Sequence, residues 1–241
     1  MAGLPSHWMR HLVWMVFLAE LAAAFVWFQD FCAAAGFELP QLLVALSFMT
    51  TLYLAAPLGA WFMAGNCLAS GDLVERVREA SRGLGLARPV AVHAHERAEA
   101  NTVGLLSSQI RNYVTTAMVD RLSDEQLRAI LAHEALHVRE RHILAMLGAA
   151  VVFAASSQVT RSVGVFLVGF LGLLAFRRWL EYRADAGAAE AVGTGPAVAA
   201  LAELQEIYPP RRFDRWVMFL TPHPTLPVRI EALQSGRWRL L

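Results

Sequence analysis

Two histidines and a glutamate within five consecutive residues form the clearest chemical pattern in the sequence. His133, Glu134 and His137 spell H-E-x-x-H. Histidines four residues apart on an α-helix lie on one face, so both imidazoles can reach a single cation. Glu134 is then placed to take a proton from a water molecule at that cation. The pattern is typical of zinc-dependent hydrolysis, and the alternative is a pair of surface histidines on an amphipathic helix.

A hydrolytic zinc site needs at least one more protein ligand, which a later part of the chain must supply. Glu181 and Asp185 lie one turn apart on a second predicted helix. Glu181 can complete a His2Glu site, while Asp185 can accept the other ring N–H of a ligating histidine. Alone, an E-x-x-x-D pattern usually marks a solvated helix face. Together with H-E-x-x-H, it predicts one zinc ion per chain.

The helices that position these residues have recognisable ends. Ser123 followed by Gln126 predicts a capping box, with the first helix beginning near Asp124. Apolar residues recur at helical spacing, and nothing in the sequence breaks the helix before His142. The second helix is expected to end at the Gly-Thr-Gly-Pro run of residues 193–196.

Four long apolar stretches indicate membrane segments. The chain of 241 residues is 56% apolar and has a mean hydropathy of +0.42. The first stretch, residues 11–29, is too long for a signal peptide and contains Glu20, which favours an uncleaved spanning helix. A second stretch covers residues 41–66. The last two, residues 143–159 and 163–176, are roughly 25 and 21 Å long as helices, against a hydrocarbon core of about 30 Å. They are expected to span with their flanks, to form a partly crossing hairpin, or to be buried in a soluble core.

The spacing between the metal-binding pattern and the apolar stretches locates the site. His137 lies six residues before Ile143, and Glu181 lies five residues after Phe176. At helical rise these gaps are roughly 9 and 7.5 Å, so the metal is expected within about 10 Å of the membrane face. The expected substrates are membrane proteins, their juxtamembrane loops or clipped peptides near the bilayer.

The charge distribution predicts an orientation. All 21 cationic residues are arginines, and the net charge of +1 gives no argument for a nucleic-acid partner. The side opposite the metal carries only Arg161, with Asp30 and Glu38. This bias places the catalytic part in the cytoplasm. The arginines on the metal side, after Arg10 at the N-terminus, are Arg76, Arg78, Arg82, Arg139, Arg141, Arg177 and Arg178.

A small β element is expected before the metal-binding helix. Residues 89–96 and 110–116 alternate between apolar and polar as strands do, and residues 100–104 between them suit a turn or an exposed edge. His93 and His95 share one face of the first strand. A metal pair is possible there, although a plain strand surface is favoured.

The combined residues resemble a known family, the HtpX and type 1 CAAX prenyl protease family of integral-membrane zinc metallopeptidases, within the gluzincins. Two apolar helices before the motif and an apolar hairpin between the ligands match the HtpX arrangement. The resemblance runs from about Val90 to Leu233. Its residues are Val114-Thr115-Thr116, Leu122-Ser123, His133-Glu134-x-x-His137, Arg139, His142, Arg178-x-x-Glu181-x-x-Ala184-Asp185, His223-Pro224 and Arg229-Ile230.

The resemblance implies a fold and a domain organisation. The expected fold is a mainly α-helical membrane protein with a small β element, four apolar membrane helices and a zincin-type metallopeptidase domain. Residues 1–70 would form a two-helix membrane region. Residues 71–241 would form the zinc metallopeptidase domain, interrupted by an apolar helical hairpin at residues 143–176.

The resemblance also implies roles for individual residues. His133, His137 and Glu181 would hold Zn2+, and Glu134 would act as the general base. His223 and Arg229 would assist at the oxyanion or orient the site. An edge for an extended substrate to join as a strand would be offered by Asn101, Thr102, Val103 and Gly104.

The implied function is an endopeptidase of the bacterial inner membrane that acts in quality control or processing of membrane or misfolded proteins, with polypeptides and the lipid bilayer as partners. Two other functions compete with it. A membrane signal transducer is disfavoured because the loops on the non-catalytic side are too short for a sensor domain. A non-catalytic scaffold stabilised by zinc is disfavoured by Glu134, since a structural site needs no base.

Overall fold

The computed structural model describes residues 66–86, 88–104, 110–160, 162–209, 221 and 223–236, with isolated positions between 15 and 51. The predicted apolar segments 11–29 and 41–66 therefore lie almost entirely outside the described residues. The strands are β1 (Asn66–Cys67), β2 (Val90–Ala94), β3 (Ala100–Val103) and β4 (Arg111–Thr115). The helices are α1 (Asp72–Ser81), α2 (Thr116–Arg121), α3 (Asp124–Arg139), α4 (His142–Thr160), α5 (Val163–Val192), α6 (Thr194–Ile207) and α7 (Leu226–Gln234).

The four strands form one sheet in the order β1-β2-β4-β3. The two predicted strands, β2 and β4, pair in parallel, with Val92 opposite Val114. Both valines are buried, with Val92 1% and Val114 0% exposed, and they pack in the core between the sheet and helices α1 to α3. Among the strands that the structure describes, β3 pairs antiparallel with β4 and lies at the end of the sheet. The segment expected to be a turn or an exposed edge is therefore an edge strand.

Helix α3 begins as the sequence predicts. The Ser123 hydroxyl accepts a hydrogen bond from the Gln126 backbone N–H at 3.3 Å, and the Gln126 side chain accepts one from the Ser123 N–H at 2.8 Å. This capping box satisfies two N–H groups that a helix start leaves unpaired. Leu127 and Leu131, one turn apart, anchor α3 in the core.

The prediction of an unbroken helix up to His142 is wrong. Helix α3 ends at Arg139, and Arg141 has a φ of 53°. It is the one non-glycine residue with positive φ among those the structure describes. No glycine or proline marks this turn in the sequence, so helical periodicity could not reveal it. The turn lets His142 begin a separate helix.

Helix α5 is a single helix of 30 residues that carries both the apolar stretch 163–176 and the acidic pair Glu181 and Asp185. It ends at Val192, before Gly193 with a φ of 94°, as the glycine run predicts. Within the described residues it is the one helix long and apolar enough to cross a membrane, and 6% of its apolar window is buried. Such exposure favours a lipid-facing hairpin over one buried in a soluble core.

Of the four predicted membrane helices, the described residues contain one that is long and apolar enough to cross a bilayer. Helix α4 is apolar over a shorter stretch, His142–Phe153, and packs against α5. A mostly helical architecture with a small sheet is confirmed. The number of helices that span the bilayer remains a prediction.

Candidate metal centre

Three predicted ligands converge from helices α3 and α5. The Nε2 atoms of His133 and His137 lie 3.1 Å apart. Glu181 places one carboxylate oxygen 3.6 Å from His133 Nε2 and the other 4.0 Å from His137 Nε2. Tetrahedral zinc with bonds of about 2.0–2.1 Å requires ligand separations of about 3.3 Å, so these residues fit the ion. Within the described part of the chain, this is the one group of three or more histidine, cysteine or acidic side chains with metal-ligand spacing.

The second ring nitrogen of His133 faces a buried carboxylate. Asp185 Oδ1 lies 3.0 Å from His133 Nδ1, and the Asp185 side chain is 5% exposed. Arg229, on α7, donates to both oxygens of Asp185 at 2.6 and 2.8 Å. A buried carboxylate without a partner costs folding free energy, and the bidentate contact with Arg229 compensates its charge. Asp185 and Arg229 therefore fix the orientation of the His133 ring.

The two histidines differ in proton affinity because only His133 contacts Asp185. Burial alone lowers the pKa of His133, but hydrogen bonds to Asp185 and Glu181 outweigh it and raise that pKa to about 9. Burial and the neighbouring His133 charge lower the pKa of His137 to about 3. In the metal-free protein at neutral pH, His133 is therefore protonated and His137 is neutral, and a metal ion must displace the proton of His133.

Glu134 faces the same cleft beside strand β3. Burial raises the pKa of its carboxyl group, and the negative charge of Glu181 raises it further. Hydrogen bonds from Thr102 and the charge of His133 act in the opposite direction. A carboxylate with a raised pKa is a stronger base than an exposed glutamate, as proton abstraction near neutral pH requires.

His223 lies beside Glu181, and the structure defines its tautomer. Its Nδ1 is 3.2 Å from Glu181 Oε1, and its Nε2 is 3.1 Å from Arg177 Nη2. Because arginine can only donate, Nε2 accepts, and the neutral ring carries its proton on Nδ1, which donates to Glu181. Arg178 supports this loop by donating to the Thr221 carbonyl oxygen at 3.0 Å. His223 thus holds the third ligand in the arrangement seen here.

The predicted substrate segment reaches the cleft only in part. Asn101 and Thr102 line a cleft of about 310 Å3 together with the three candidate ligands and Glu134. The Asn101 amide donates to the Tyr113 hydroxyl at 3.2 Å, and the Thr102 hydroxyl donates to the Asn112 side chain at 2.8 Å. Val103 and Gly104 continue along the edge and do not line the cleft.

His93 and His95 do not belong to the metal cluster found in the described residues. His93 is fully buried, with its ring centroid 5.6 Å from that of Tyr113 in an edge-on contact. The favoured interpretation of a plain strand surface is therefore wrong for His93, which belongs to the protein interior.

Sequence reasoning missed two neighbours of the ligands. Arg177, which the sequence analysis treats only as a membrane-flanking arginine, donates a hydrogen bond to His223. Its position four residues before Glu181 was the available signal. His142, noted only as following the motif, places its Nδ1 2.8 Å from Nδ1 of His137. Its five-residue spacing is not helical, so only the turn at Arg141 makes this contact possible.

Comparison with known proteins identifies the family. The model of peptidase family M48 matches residues 68–237, well over half of the chain. The chain belongs to peptidase family M48. The predicted resemblance and the predicted metallopeptidase class are thereby confirmed, and the family implies a bound metal ion.

The M48 chain is similar to curated bacterial proteins. It is 30% identical over 205 residues to Protease HtpX of Glaesserella parasuis. This alignment covers 68% of this chain and 72% of that protein. It is 29% identical over 208 residues to Protease HtpX of Mannheimia succiniciproducens, which covers 68% of this chain and 73% of the relative.

The fold also has a solved counterpart. The crystal structure of Ste24p from S. mikatae superposes on this chain with a TM-score of 0.68 at 19% identity. The match covers 94% of this chain, which spans 66% of the length of that protein. At this identity the likeness concerns the fold alone.

Proposed function

We propose that this M48 chain is a zinc-dependent endopeptidase anchored in the membrane, which hydrolyses peptide bonds in membrane or misfolded proteins close to the bilayer. One observation carries the proposal. His133, His137 and Glu181 converge around one point with Glu134 in the same cleft, and Glu181 belongs to the helix with the exposed apolar stretch.

His133, His137 and Glu181 would hold one zinc ion per chain. When bound, zinc polarises the carbonyl to be cleaved and makes a water molecule at the metal more acidic. Glu134 takes a proton from the attacking water and passes it to the departing amine, which its raised pKa favours. Asp185 and Arg229 orient His133, and His223 orients Glu181.

Strand β3 supports an extended mode of substrate binding for residues 101–104. The carbonyl oxygen of Glu99 accepts a hydrogen bond from the Thr115 N–H at 2.9 Å, so residue 99 is turned toward β4. By the alternation of an antiparallel ladder, Ala100 and Thr102 direct their backbone groups away from β4. The Thr102 N–H already donates to Glu134. An extended polypeptide can therefore hydrogen-bond to the backbone groups of Ala100 and to the Thr102 carbonyl oxygen while its own carbonyl lies in the cleft beside Glu134.

Two features support a position at the cytoplasmic face of a bacterial inner membrane. Glu181 follows the apolar stretch by five residues, roughly 7.5 Å along α5. Arginines accumulate on the side of the metal site, as they do on cytoplasmic loops. With Cys32 and Cys67 replaced by serine, a cysteine at Ser162, in the turn between α4 and α5, is expected to react with an impermeant maleimide added to intact spheroplasts. Labelling only after lysis would place the site on the opposite face.

The decisive experiment compares the wild type with Glu134→Gln, both purified as the full chain in detergent. Both should bind one zinc per chain. Cleavage of an unfolded membrane-protein substrate should fall by about 100-fold or more in the variant, because the base is lost. Glu125→Gln, an exposed glutamate at the start of α3, is the matched control and should keep full activity. If the wild type and both variants bind zinc but none of them cleaves the substrate, a non-catalytic scaffold stabilised by zinc would be favoured instead.

A further inference from the structure

A chain of polar contacts continues from the second ring nitrogen of His137. Its Nδ1 lies 2.8 Å from Nδ1 of His142, and Nε2 of His142 lies 3.3 Å from a carboxylate oxygen of Glu140. Arg183 on α5 donates to both oxygens of Glu140, at 2.9 and 3.1 Å. His142 itself is 4% exposed. The contacts thus join helices α3, α4 and α5 directly behind one metal ligand.

The contacts allow one consistent placement of protons when His137 binds a metal through Nε2. Its Nδ1 must then carry the proton and donate it to Nδ1 of His142. The remaining nitrogen of a neutral His142, Nε2, carries a proton and donates to Glu140, and the arginine supplies only donors. In this series of contacts, from the Nδ1–H of His137 to the guanidinium of Arg183, each donor faces an acceptor.

The backbone turn after α3 is what makes these contacts possible. In a continuous helix, residues five apart point in directions about 140° different, so His142 would face away from His137. The positive φ of Arg141 ends α3 and starts α4 in a new direction. A non-glycine residue with positive φ is unfavourable, and such strain is found where surrounding contacts hold it.

We propose that His142 is a positioning residue of the metal centre. It fixes the tautomer and ring orientation of His137, and its own orientation is coupled to Glu140 and Arg183. Asp185 has the same relation to His133, so both histidine ligands are oriented by a buried partner. This inference rests on the proposed function only in requiring that His133, His137 and Glu181 bind zinc. It adds that zinc retention depends on the accepting nitrogen of His142.

The test measures the rate at which zinc leaves the full-length protein in detergent, with excess chromogenic chelator. His142→Leu replaces the accepting imidazole by an apolar side chain of similar volume. Zinc should then leave about 10–100-fold faster than from the wild type. His142→Asn keeps an acceptor, since Oδ1 can take the place of Nδ1, and should recover most of the loss. His95→Leu, which removes a histidine that does not line the cleft, should release zinc at the wild-type rate.

A purely structural role for His142 predicts a different pattern. The leucine and asparagine variants would then lose similar thermal stability in metal-free form, and both would release zinc at the wild-type rate. A release rate of His142→Leu within twofold of the wild type overturns the proposal, and so does an asparagine variant as fast as the leucine variant. Should the leucine variant fail to fold, Glu140→Ala carries the test, with several-fold faster release expected and an unchanged rate contradicting it. Absence of zinc from the wild type would instead refute the proposed function.

Discussion

Gly187 and Leu136 mark the point where α5 crosses α3, at a separation that leaves no room for a side chain. A Cβ atom added to Gly187 would lie 2.6 Å from both terminal methyl carbons of Leu136. Leu136 is 2% exposed and directly precedes the ligand His137, while Gly187 follows Glu181 by six residues. A methyl group at Gly187 can therefore be accommodated only if the Leu136 side chain or the two helices shift.

Replacement of this glycine should displace the buried Leu136 side chain and with it the contact between the two helices. Gly187→Ala is expected to lower the free energy of unfolding by about 1–2 kcal/mol, since overpacking outweighs the helix propensity gained. Zinc binding should weaken as Glu181 moves away from His133. Thermal unfolding and zinc titration in detergent measure both effects. Gly195→Ala is the matched control, because a Cβ there meets nothing within 4 Å; equal behaviour of the two variants would refute the packing argument.

The buried pair of Arg229 and Asp185 should be expensive to break. Arg229→Met leaves the 5%-exposed Asp185 carboxylate with His133 as its partner and should reduce stability by up to about 3–5 kcal/mol, the cost of an uncompensated buried charge. Arg229→Lys keeps the charge but loses the two-pronged contact, so an intermediate loss is expected. Denaturant unfolding provides the comparison. Arg78→Met, which removes the exposed pair with Glu75, should change stability by less than about 1 kcal/mol.

Zinc binding should release a proton. The pKa of His133 is raised to about 9 in the metal-free protein, so the ring is protonated at pH 7.5, whereas His137, with a pKa of about 3, is not. Only neutral imidazole binds zinc, so uptake at pH 7.5 should release about one proton from the ligands. Apparent affinity should rise about tenfold per pH unit up to about pH 9.

Calorimetry in buffers of different ionisation enthalpy counts these protons. The release should be smaller above pH 9 than at pH 7.5, because His133 is already neutral there and has no proton to lose. Zinc uptake at pH 7.5 without any proton release would contradict the assigned protonation of His133.

Metal removal should lower the unfolding temperature. A ligand that binds only the folded state stabilises it by about 2.7 kcal/mol at a free concentration one hundred times its dissociation constant. Chelation by 1,10-phenanthroline should abolish that stabilisation, and added zinc should restore it. Glu181→Gln should unfold at the same temperature with and without zinc; a wild-type response from this variant would exclude Glu181 as a ligand.

Local patterns made much of the site predictable, and distant contacts did not. The capping box at Ser123 and the spacing of His133 and His137 depend on neighbours within one helical turn, so the sequence reveals them. Glu181 was predictable because hydrolytic zinc chemistry requires a third ligand. The turn at Arg141 carries no glycine or proline, and the contact of His223 with Arg177 joins residues 46 apart in the sequence. The turn leaves no periodic signal, and the helical spacing of Arg177 and Glu181 does not indicate His223 as the partner.

The uninterrupted course of α5 has a mechanical consequence. At about 1.5 Å per residue its 30 residues make a rod of about 45 Å, with the apolar stretch at one end and Glu181 and Asp185 toward the other. A membrane helix adjusts its tilt when the thickness of the surrounding bilayer changes. Without a hinge, such a tilt swings the acidic end as well. If the apolar end lies in a bilayer, as proposed, a change of lipid thickness would also move Glu181 and Asp185 and so alter the cleft.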